Sequence, residues 1–373
     1  MKTDKKAKTI FSVGGGKGGV GKSIFSIAFG AALAKEGWKV ALVDLDLGAA
    51  NLHTYLGITK KTPTIADFIL KKATSLDEIL LETSRENLKL ISGAEFLPGM
   101  ANPAHWTKLK IMRHIRSLPA DFIIIDLGAG VHFNTLDFFG LSDRGIVMTA
   151  PEPAAIMNAY GFIKGALFRK LQSIFRNHPE VGAIIDSEAK KADDEKKFTL
   201  DWLFEKVRAA APDMLPLVEE IEKGFNPALV LNRTVEGRDH TLVKNLILLC
   251  SDKLGVSLDH VGNIPDIPGI YNYLLDIPGF LNSNSGRPYL DSVNRIRNNL
   301  LAGSAADKAL TGTRTNYSDI EVEEIINFME GLDEKIFSGT NRNAWKLRMY
   351  FKPVDVVNFL ISRGITHEAF YRQ

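Results

Sequence analysis

The chain has 373 residues, of which 45% are hydrophobic and 24% charged, as is typical of a globular protein with a large core. Its 46 Lys and Arg against 44 Asp and Glu give a net charge of +2, which neither favours nor excludes a nucleic-acid partner. The single cysteine, Cys250, excludes an internal disulfide and a cysteine-pair zinc or iron–sulfur site within one chain. Because no apolar run reaches the roughly 18 residues of a membrane span, and the N-terminus lacks a signal-peptide pattern, we expect a cytoplasmic protein.

Apolar runs alternate with helical segments and predict an α/β fold, doubly wound around a mainly parallel sheet of about seven or eight strands. Ser23–Glu36 has the apolar spacing of a helix and is followed by Gly37, a residue suited to a helix C-terminus. The predicted strands are Thr9–Val13, Val40–Leu45, Leu88–Ser92, Asp121–Leu127, Gly145–Ala150, Pro227–Leu231 and Val261–Ile264.

The pattern divides the chain into a main domain over residues 1–302, a linker over 303–317 and a small helical C-terminal extension over 318–373. The main domain carries a helical insertion at about 168–226, in which the mixed-charge run Asp186–Lys197 is predicted as a solvated loop. We expect the extension to pack on itself or on the main domain, and the alternatives are a partner-docking helix and a membrane-surface helix. Its near-equal numbers of acidic and basic residues lack the cationic excess expected of a membrane-surface helix.

A glycine-rich run matches the pattern G-x-x-x-x-G-K-[ST] in full, between a predicted strand and a predicted helix. Its glycines leave backbone N–H groups free to surround phosphate oxygens, and the following helix directs its positive dipole end at the anion. We therefore expect Lys22 to reach the β- and γ-phosphates of a nucleotide and the Ser23 hydroxyl to ligate Mg²⁺. The alternative is a glycine turn that matches by chance. The run consists of Gly16, Lys17, Gly18, Gly19, Val20, Gly21, Lys22 and Ser23.

The second lysine of this run, Lys17, gives the form K-G-G-x-G-K-S, the deviant Walker A signature. With it the chain resembles the MinD/ParA family of P-loop ATPases, which have the SIMIBI type of fold. The resemblance implies an ATP-dependent homodimer in which Lys17 crosses the interface onto the partner's phosphates. There it would stabilise the charge of phosphoryl transfer, as an arginine finger does. ATP and Mg²⁺ are the implied cofactors, and slow ATP hydrolysis is the implied reaction.

Three aspartates follow predicted strands at the edge where the phosphates would lie. Asp44 and Asp46 end the second strand, and Asp126 ends the run DFIIIDL before Gly128. Carboxylates at this edge can hold Mg²⁺ and its waters or orient an attacking water, and each could instead cap a following turn. The resemblance implies that Asp46 positions the attacking water, that Asp44 supports Mg²⁺ in its outer shell, and that Asp126 is the Walker B aspartate.

Two further residues follow late strands at the same edge, namely Asn232 in the pair Asn232-Arg233 and Pro265 in the run GNIPDIP. An asparagine amide can both donate to and accept from a nucleobase. The resemblance implies that Asn232 hydrogen-bonds adenine and that the loop with Pro265 flanks the base.

Several stretches are similar to the FlhG/FleN branch of the family, which controls flagellar number and placement. They are Val43–Gly57, Ile123–Gly130 and Thr149–Lys164. This similarity implies a positioning switch with an unidentified protein partner, peripheral at the inner membrane if the extension binds lipid. The alternative is a ParA-type, DNA-dependent partition ATPase. The chain lacks the cysteine ligands that an iron–sulfur reductase of this fold needs. It also lacks the tyrosine-rich tail expected of a tyrosine autokinase.

Overall fold

A computed structural model describes residues 8–47, 49–93, 105–189, 199–235 and 240–307. Its contacts divide the chain into two units. The larger comprises Met1–Pro103 and Ile111–Leu310, and the smaller comprises Ala104–Lys110 and Thr311–Gln373. Of the smaller unit only residues 105–110 are described, as the start of a helix. Most of the predicted linker and all of the predicted C-terminal extension therefore lie outside the described residues.

An eight-stranded sheet forms the centre of the larger unit, in the order β3-β4-β2-β5-β1-β6-β7-β8. All neighbouring strands pair in parallel except the edge pair of β3 and β4, which is antiparallel. The order reverses around β1, so the glycine-rich loop that follows β1 lies at the topological switch point. The strands are β1 (Thr9–Gly14), β2 (Val40–Leu45), β3 (Leu81–Glu82), β4 (Leu88–Ile91), β5 (Phe122–Leu127), β6 (Arg144–Thr149), β7 (Ala228–Thr234) and β8 (Asp259–Pro265).

Helices cover both faces of this sheet. The helices of the described residues are α1 (Lys22–Lys35), α2 (Leu52–Tyr55), α3 (Ile65–Ile69), α4 (His105–Ser117), α5 (Phe133–Phe139), α6 (Pro153–Ile174), α7 (Pro179–Ala189), α8 (Leu200–Ala210), α9 (Leu215–Gly224), α10 (His240–Leu254), α11 (Ile277–Asn282) and α12 (Arg287–Asp307). Short 3₁₀ turns join α6 to α7 and α8 to α9. No helix in the described ranges is long and apolar enough to span a membrane.

The predicted α/β fold is confirmed, and each of the seven predicted strands is present with small shifts of its ends. The strand that the sequence did not predict is β3, which has two residues and is partly exposed. Helix α12 continues to Asp307 and so includes residues 303–307, which were predicted as the start of the linker.

Two buried clusters pack on opposite faces of the sheet because side chains alternate along each strand. In β5, Ile123 and Ile125 belong to one cluster, and Phe122 and Ile124 belong to the other. Burial on both faces explains why the central strands read as continuous apolar runs.

The predicted insertion is helical and joins one of these clusters. It contains the end of α6 and the helices α7, α8 and α9. Leu203 and Val207 of α8 and Ile221 of α9 are buried in the cluster that also holds Ile123. The run Asp186–Lys197 was predicted as a solvated loop, and this is wrong for its described part, because residues 186–189 form the end of α7 and Glu188 is buried. The insertion therefore extends the core of the larger unit.

Candidate functional site

The glycine-rich loop connects β1 to α1 at the carboxyl edge of the sheet. Gly21 precedes the helix with φ of 92°, in the left-handed region that favours glycine. A Cβ added to Gly21 would lie 2.2 Å from Nδ2 of Asn232, and one added to Gly16 would lie 2.0 Å from the carbonyl oxygen of Asn158. The loop thus needs glycine both for its backbone conformation and for the close approach of its neighbours.

Lys22 begins α1 with only 8% of its surface exposed. Burial lowers the pKa of its ammonium group, and the negative charges of Asp126 and Asp46 oppose that shift. Lys22 is therefore a buried cation close to two carboxylates, at the first turn of a helix whose N–H groups face the loop. A phosphate group in the loop would supply the further negative charge that such a cation attracts.

Ser23 and Asp126 form a direct pair, in which Ser23 Oγ donates to Asp126 Oδ2 at 2.6 Å. Ser26, one turn further along α1, has its hydroxyl oxygen 2.9 Å from Asp126 Oδ1. Burial raises the pKa of Asp126 to about 6, while the two serine hydroxyls and Lys22 lower it. The structure therefore brings into direct contact two of the three residues that the sequence predicts around Mg²⁺, Ser23 and Asp126.

These residues fit a magnesium ion that takes most of its ligands from phosphate and water. A hydroxyl and a carboxylate oxygen 2.6 Å apart are the protein donors that such an ion uses beside nucleotide phosphates. Within the described ranges, no group of three or more His, Cys, Asp or Glu side chains is arranged to hold a metal unaided. The metal role of Ser23 and Asp126 therefore remains a prediction that depends on bound nucleotide.

Asp44 is fully buried at the end of β2, and its carboxylate is held by backbone N–H groups of the following loop. Its Oδ1 accepts from Asp46 N at 3.1 Å, and its Oδ2 accepts from Asn51 N and Leu52 N at 3.0 Å each. Burial, with the charge of Asp126 next in size, raises the pKa of Asp44 to about 8. With these contacts Asp44 caps the turn that follows β2, which is the alternative that the sequence left open. Its support of Mg²⁺ in the outer shell stays a prediction.

Asp46 lies just beyond β2, partly exposed, beside the loop that follows β5. A Cβ added to Gly128 would lie 2.9 Å from Asp46 Oδ1, so the carboxylate packs against the glycine after the Asp126 strand. The absence of a side chain at Gly128 leaves this carboxylate room beside the candidate phosphate site. The position suits a residue that orients water, and that role is untested.

Lys17 extends from the loop into solvent, with 38% of its side chain exposed. Its Nζ forms an ion pair of 2.5 Å with Glu152 Oε2, at the residue before α6. The hydrogen bond from Lys17, followed by the positive charge of Lys17, holds the pKa of Glu152 below its usual value. Such an exposed pair is weak, so Lys17 can leave Glu152 at little cost.

Asn232 and Pro265, which the sequence predicts at a base site, line one common pocket. Asn232 is buried, and its Nδ2 donates to the carbonyl oxygen of Val20 at 2.8 Å, so its amide also fixes the glycine-rich loop. The pocket wall consists of Gly21, Ile24, Asn232, Arg233, Pro265, Asp266, Ile267, Ile270, Tyr271 and Tyr289. Because Gly21 belongs both to this wall and to the loop, the pocket adjoins the candidate phosphate site.

Sequence reasoning missed several residues of this site. Ser26 lies one turn after Ser23 on α1, a spacing that the sequence does show. Glu152 is 135 positions from Lys17, and no local pattern links the two. Arg233 Nη2 donates to Tyr271 Oη at 2.8 Å at the rim of the pocket, again across a long separation. These pairings arise only from the fold.

The family model described as "CobQ/CobB/MinD/ParA nucleotide binding domain" matches residues 11–270. The chain belongs to this family. The family contains P-loop ATPases, which agrees with a glycine-rich loop at the switch point of a parallel sheet.

Two curated relatives match part of the chain, and one of them is named for the flagellum. The chain is 36% identical over 173 residues to the flagellum site-determining protein YlxH of Helicobacter pylori, covering 43% of this chain and 55% of that one. It is 31% identical over 163 residues to the antiactivator FleN of Pseudomonas aeruginosa, covering 42% of this chain and 55% of that one. The match thus spans about half the length of these relatives.

Solved structures of the family share the fold. The MinD protein of Pyrococcus horikoshii, solved with Mg-ADP, aligns with a TM-score of 0.53 at 21% identity, covering 80% of this chain and 98% of that one. A ParA family ATPase of Chlorobium tepidum aligns with a TM-score of 0.54 at 18% identity, covering 79% of this chain and 99% of that one. The SIMIBI-type fold that the resemblance implied is confirmed.

Proposed function

We propose that this chain is an ATP-dependent dimerisation switch that hydrolyses ATP slowly and controls the number or placement of flagella. The observation that carries the ATPase part is the convergence of Lys22, Ser23, Asp126 and Asp46 at one edge of the sheet, beside an exposed Lys17. The flagellar part is supported by the similarity to YlxH and FleN.

Each residue has a defined task in this proposal. Lys22 and the loop N–H groups would bind the β- and γ-phosphates, and Ser23 with Asp126 would hold a magnesium ion that neutralises phosphate charge. Asp46 orients the attacking water towards the γ-phosphate. Lys22 thus provides one cation within the chain for the charge that develops in phosphoryl transfer.

The second cation, Lys17, pairs with Glu152 rather than with the carboxylates around Lys22. A second copy facing the first would bring another Lys17 to this site, and hydrolysis would then depend on dimer formation. The ATP-bound dimer would present a surface that the monomer lacks, and hydrolysis would remove it. This dependence makes the enzyme slow and suits a switch.

The ATPase part is tested by Asp46→Ala. We expect hydrolysis to fall by at least about 100-fold, as for loss of a group that orients the nucleophile, while ATP affinity changes little. Steady-state phosphate release and calorimetric titration with ATP measure the two quantities. Asp252→Ala, an exposed aspartate on α10, is the matched control. An unchanged hydrolysis rate in Asp46→Ala would refute its role.

The flagellar part is tested in the organism that encodes the chain. Deletion and the Asp46→Ala variant should both change the number or position of flagella seen by electron microscopy. Two results would favour the ParA-type alternative. One is normal flagella together with a defect in chromosome or plasmid partition, and the other is salt-sensitive DNA binding that occurs only with ATP.

A further inference from the structure

Tyr289 is a buried residue whose polar atom has no partner within the described part of the chain. It lies near the start of α12 with 2% of its surface exposed, and its ring packs edge-on against Phe280 at a centroid distance of 5.9 Å. Its hydroxyl oxygen makes no hydrogen bond to any described residue. Burial raises the pKa of this phenol, so it is neutral and keeps its proton. A buried hydroxyl without a partner is unfavourable unless something else satisfies it.

The ring of Tyr289 forms part of the wall of the pocket described above, which adjoins the glycine-rich loop. Ile24, Ile267 and Ile270 give the wall apolar sides beside its polar groups. Most of the polar side-chain groups that line it already have partners. Asn232 Nδ2 donates to Val20 O, and Arg233 donates to Tyr271. Tyr289 therefore brings to this wall a buried hydroxyl that has no hydrogen-bond partner among the described residues.

A pocket with apolar sides and a few polar groups suits a flat heteroaromatic ring. Asn232 retains its amide oxygen and one N–H for the edge of such a ring. A nucleotide whose phosphates occupy the loop at Gly21 would extend its base towards this wall, because the loop and the pocket share that residue.

We propose that the Tyr289 hydroxyl donates a hydrogen bond to a ring nitrogen of the adenine and is a specificity-determining residue for ATP. This inference rests on the proposed nucleotide-binding function and adds to it a residue of α12, outside the loop and outside the pair Asn232-Arg233. Tyr289 would select for a base with an acceptor nitrogen at that position.

Tyr289→Phe tests the proposal because it removes one oxygen atom and keeps the ring. Without nucleotide, the variant should melt at the same temperature as the wild type or higher, since an unsatisfied buried group is removed. Its Kd for MgATP should rise about 3–10-fold, the effect of one neutral hydrogen bond. A smaller rise in melting temperature on adding MgATP should accompany the weaker binding. Tyr160→Phe, on α6 and outside the pocket wall, should bind MgATP as the wild type does.

Deaza analogues of ATP identify the ring nitrogen that accepts the proposed hydrogen bond. With 1-deaza-, 3-deaza- and 7-deaza-ATP, one analogue should bind the wild type more weakly than ATP and lose that difference in Tyr289→Phe. Equal Kd values of wild type and Tyr289→Phe for MgATP would overturn the proposal. A loss of ATP affinity in Tyr289→Phe that persists with all three deaza analogues and disappears with 2′-deoxy-ATP would also overturn it, because it would assign the hydroxyl to the ribose. Failure of the wild type itself to bind MgATP would instead overturn the proposed function.

Discussion

At the scale of single residues, the site places two buried carboxylates, Asp44 and Asp126, near the buried ammonium group of Lys22. Asp44 and Asp126 lie on paired positions of neighbouring strands, and burial raises the pKa of both, to about 8 and about 6. The serine hydroxyls and the ammonium group of Lys22 oppose the shift of Asp126, and backbone N–H groups of Leu52 and Asp46 oppose that of Asp44. Lys22 is thus needed both by the carboxylates beside it and by the phosphates proposed to bind there.

Replacement of this lysine is the direct test at residue scale. Lys22→Ala should weaken MgATP binding by about 10–100-fold, because it removes a charge-assisted contact made by a buried lysine. Isothermal titration calorimetry with MgATP measures the loss. Lys35→Ala, at the exposed end of the same helix, is the control and should bind as the wild type does. Undiminished affinity in Lys22→Ala would contradict the assignment of the loop.

At the scale of elements, the loop between β1 and α1 is fixed by its glycines. Gly21 and Gly37 both have left-handed backbone, with φ of 92° and 87°. They differ in surroundings, since a Cβ at Gly21 would meet Asn232 whereas one at Gly37 has nothing within 4 Å. Alanine at Gly37 therefore measures the cost of the left-handed backbone alone, whereas alanine at Gly21 adds the steric conflict with Asn232.

Gly37→Ala should lower the free energy of unfolding by about 1–2 kcal/mol, the cost of a left-handed alanine. Gly21→Ala should cost more and should also weaken MgATP binding, because Asn232 and the loop must move apart. Urea denaturation and MgATP titration of both variants measure these effects. Equal losses of stability with normal ATP binding in both would show that the contact with Asn232 is unimportant.

Elements also show how far sequence reasoning reaches. The run DFIIIDL predicted β5 because both faces of that strand are buried and every position is apolar up to Asp126. Two-residue β3 has no periodicity to detect. The contacts of Asp44 could not be predicted from the sequence, because they depend on how the loop at Asn51 folds back over the end of β2. The pair of Lys17 and Glu152 depends on β1 and β6 being neighbours in the sheet.

At the scale of the whole molecule, the larger unit gathers its functional residues at the carboxyl ends of parallel strands. The loop follows β1, Asp46 follows β2, Asp126 lies in β5, and Asn232 and Pro265 lie in β7 and β8. The strand order places the loop at the centre of this edge. Beside it, Lys17 is exposed and weakly paired, as expected of a group that acts on a second copy.

The central claim is that ATP, but not ADP, joins two copies through Lys17. Size-exclusion chromatography with light scattering on Asp46→Ala, which would retain ATP, measures this most directly. We predict a monomer with MgADP and twice the monomer mass with MgATP. Adding Lys17→Ala should abolish the dimer, whereas Lys39→Ala, at the start of β2 on the opposite edge, should leave it intact. A monomer in both nucleotides, or a dimer that persists without Lys17, would contradict the account.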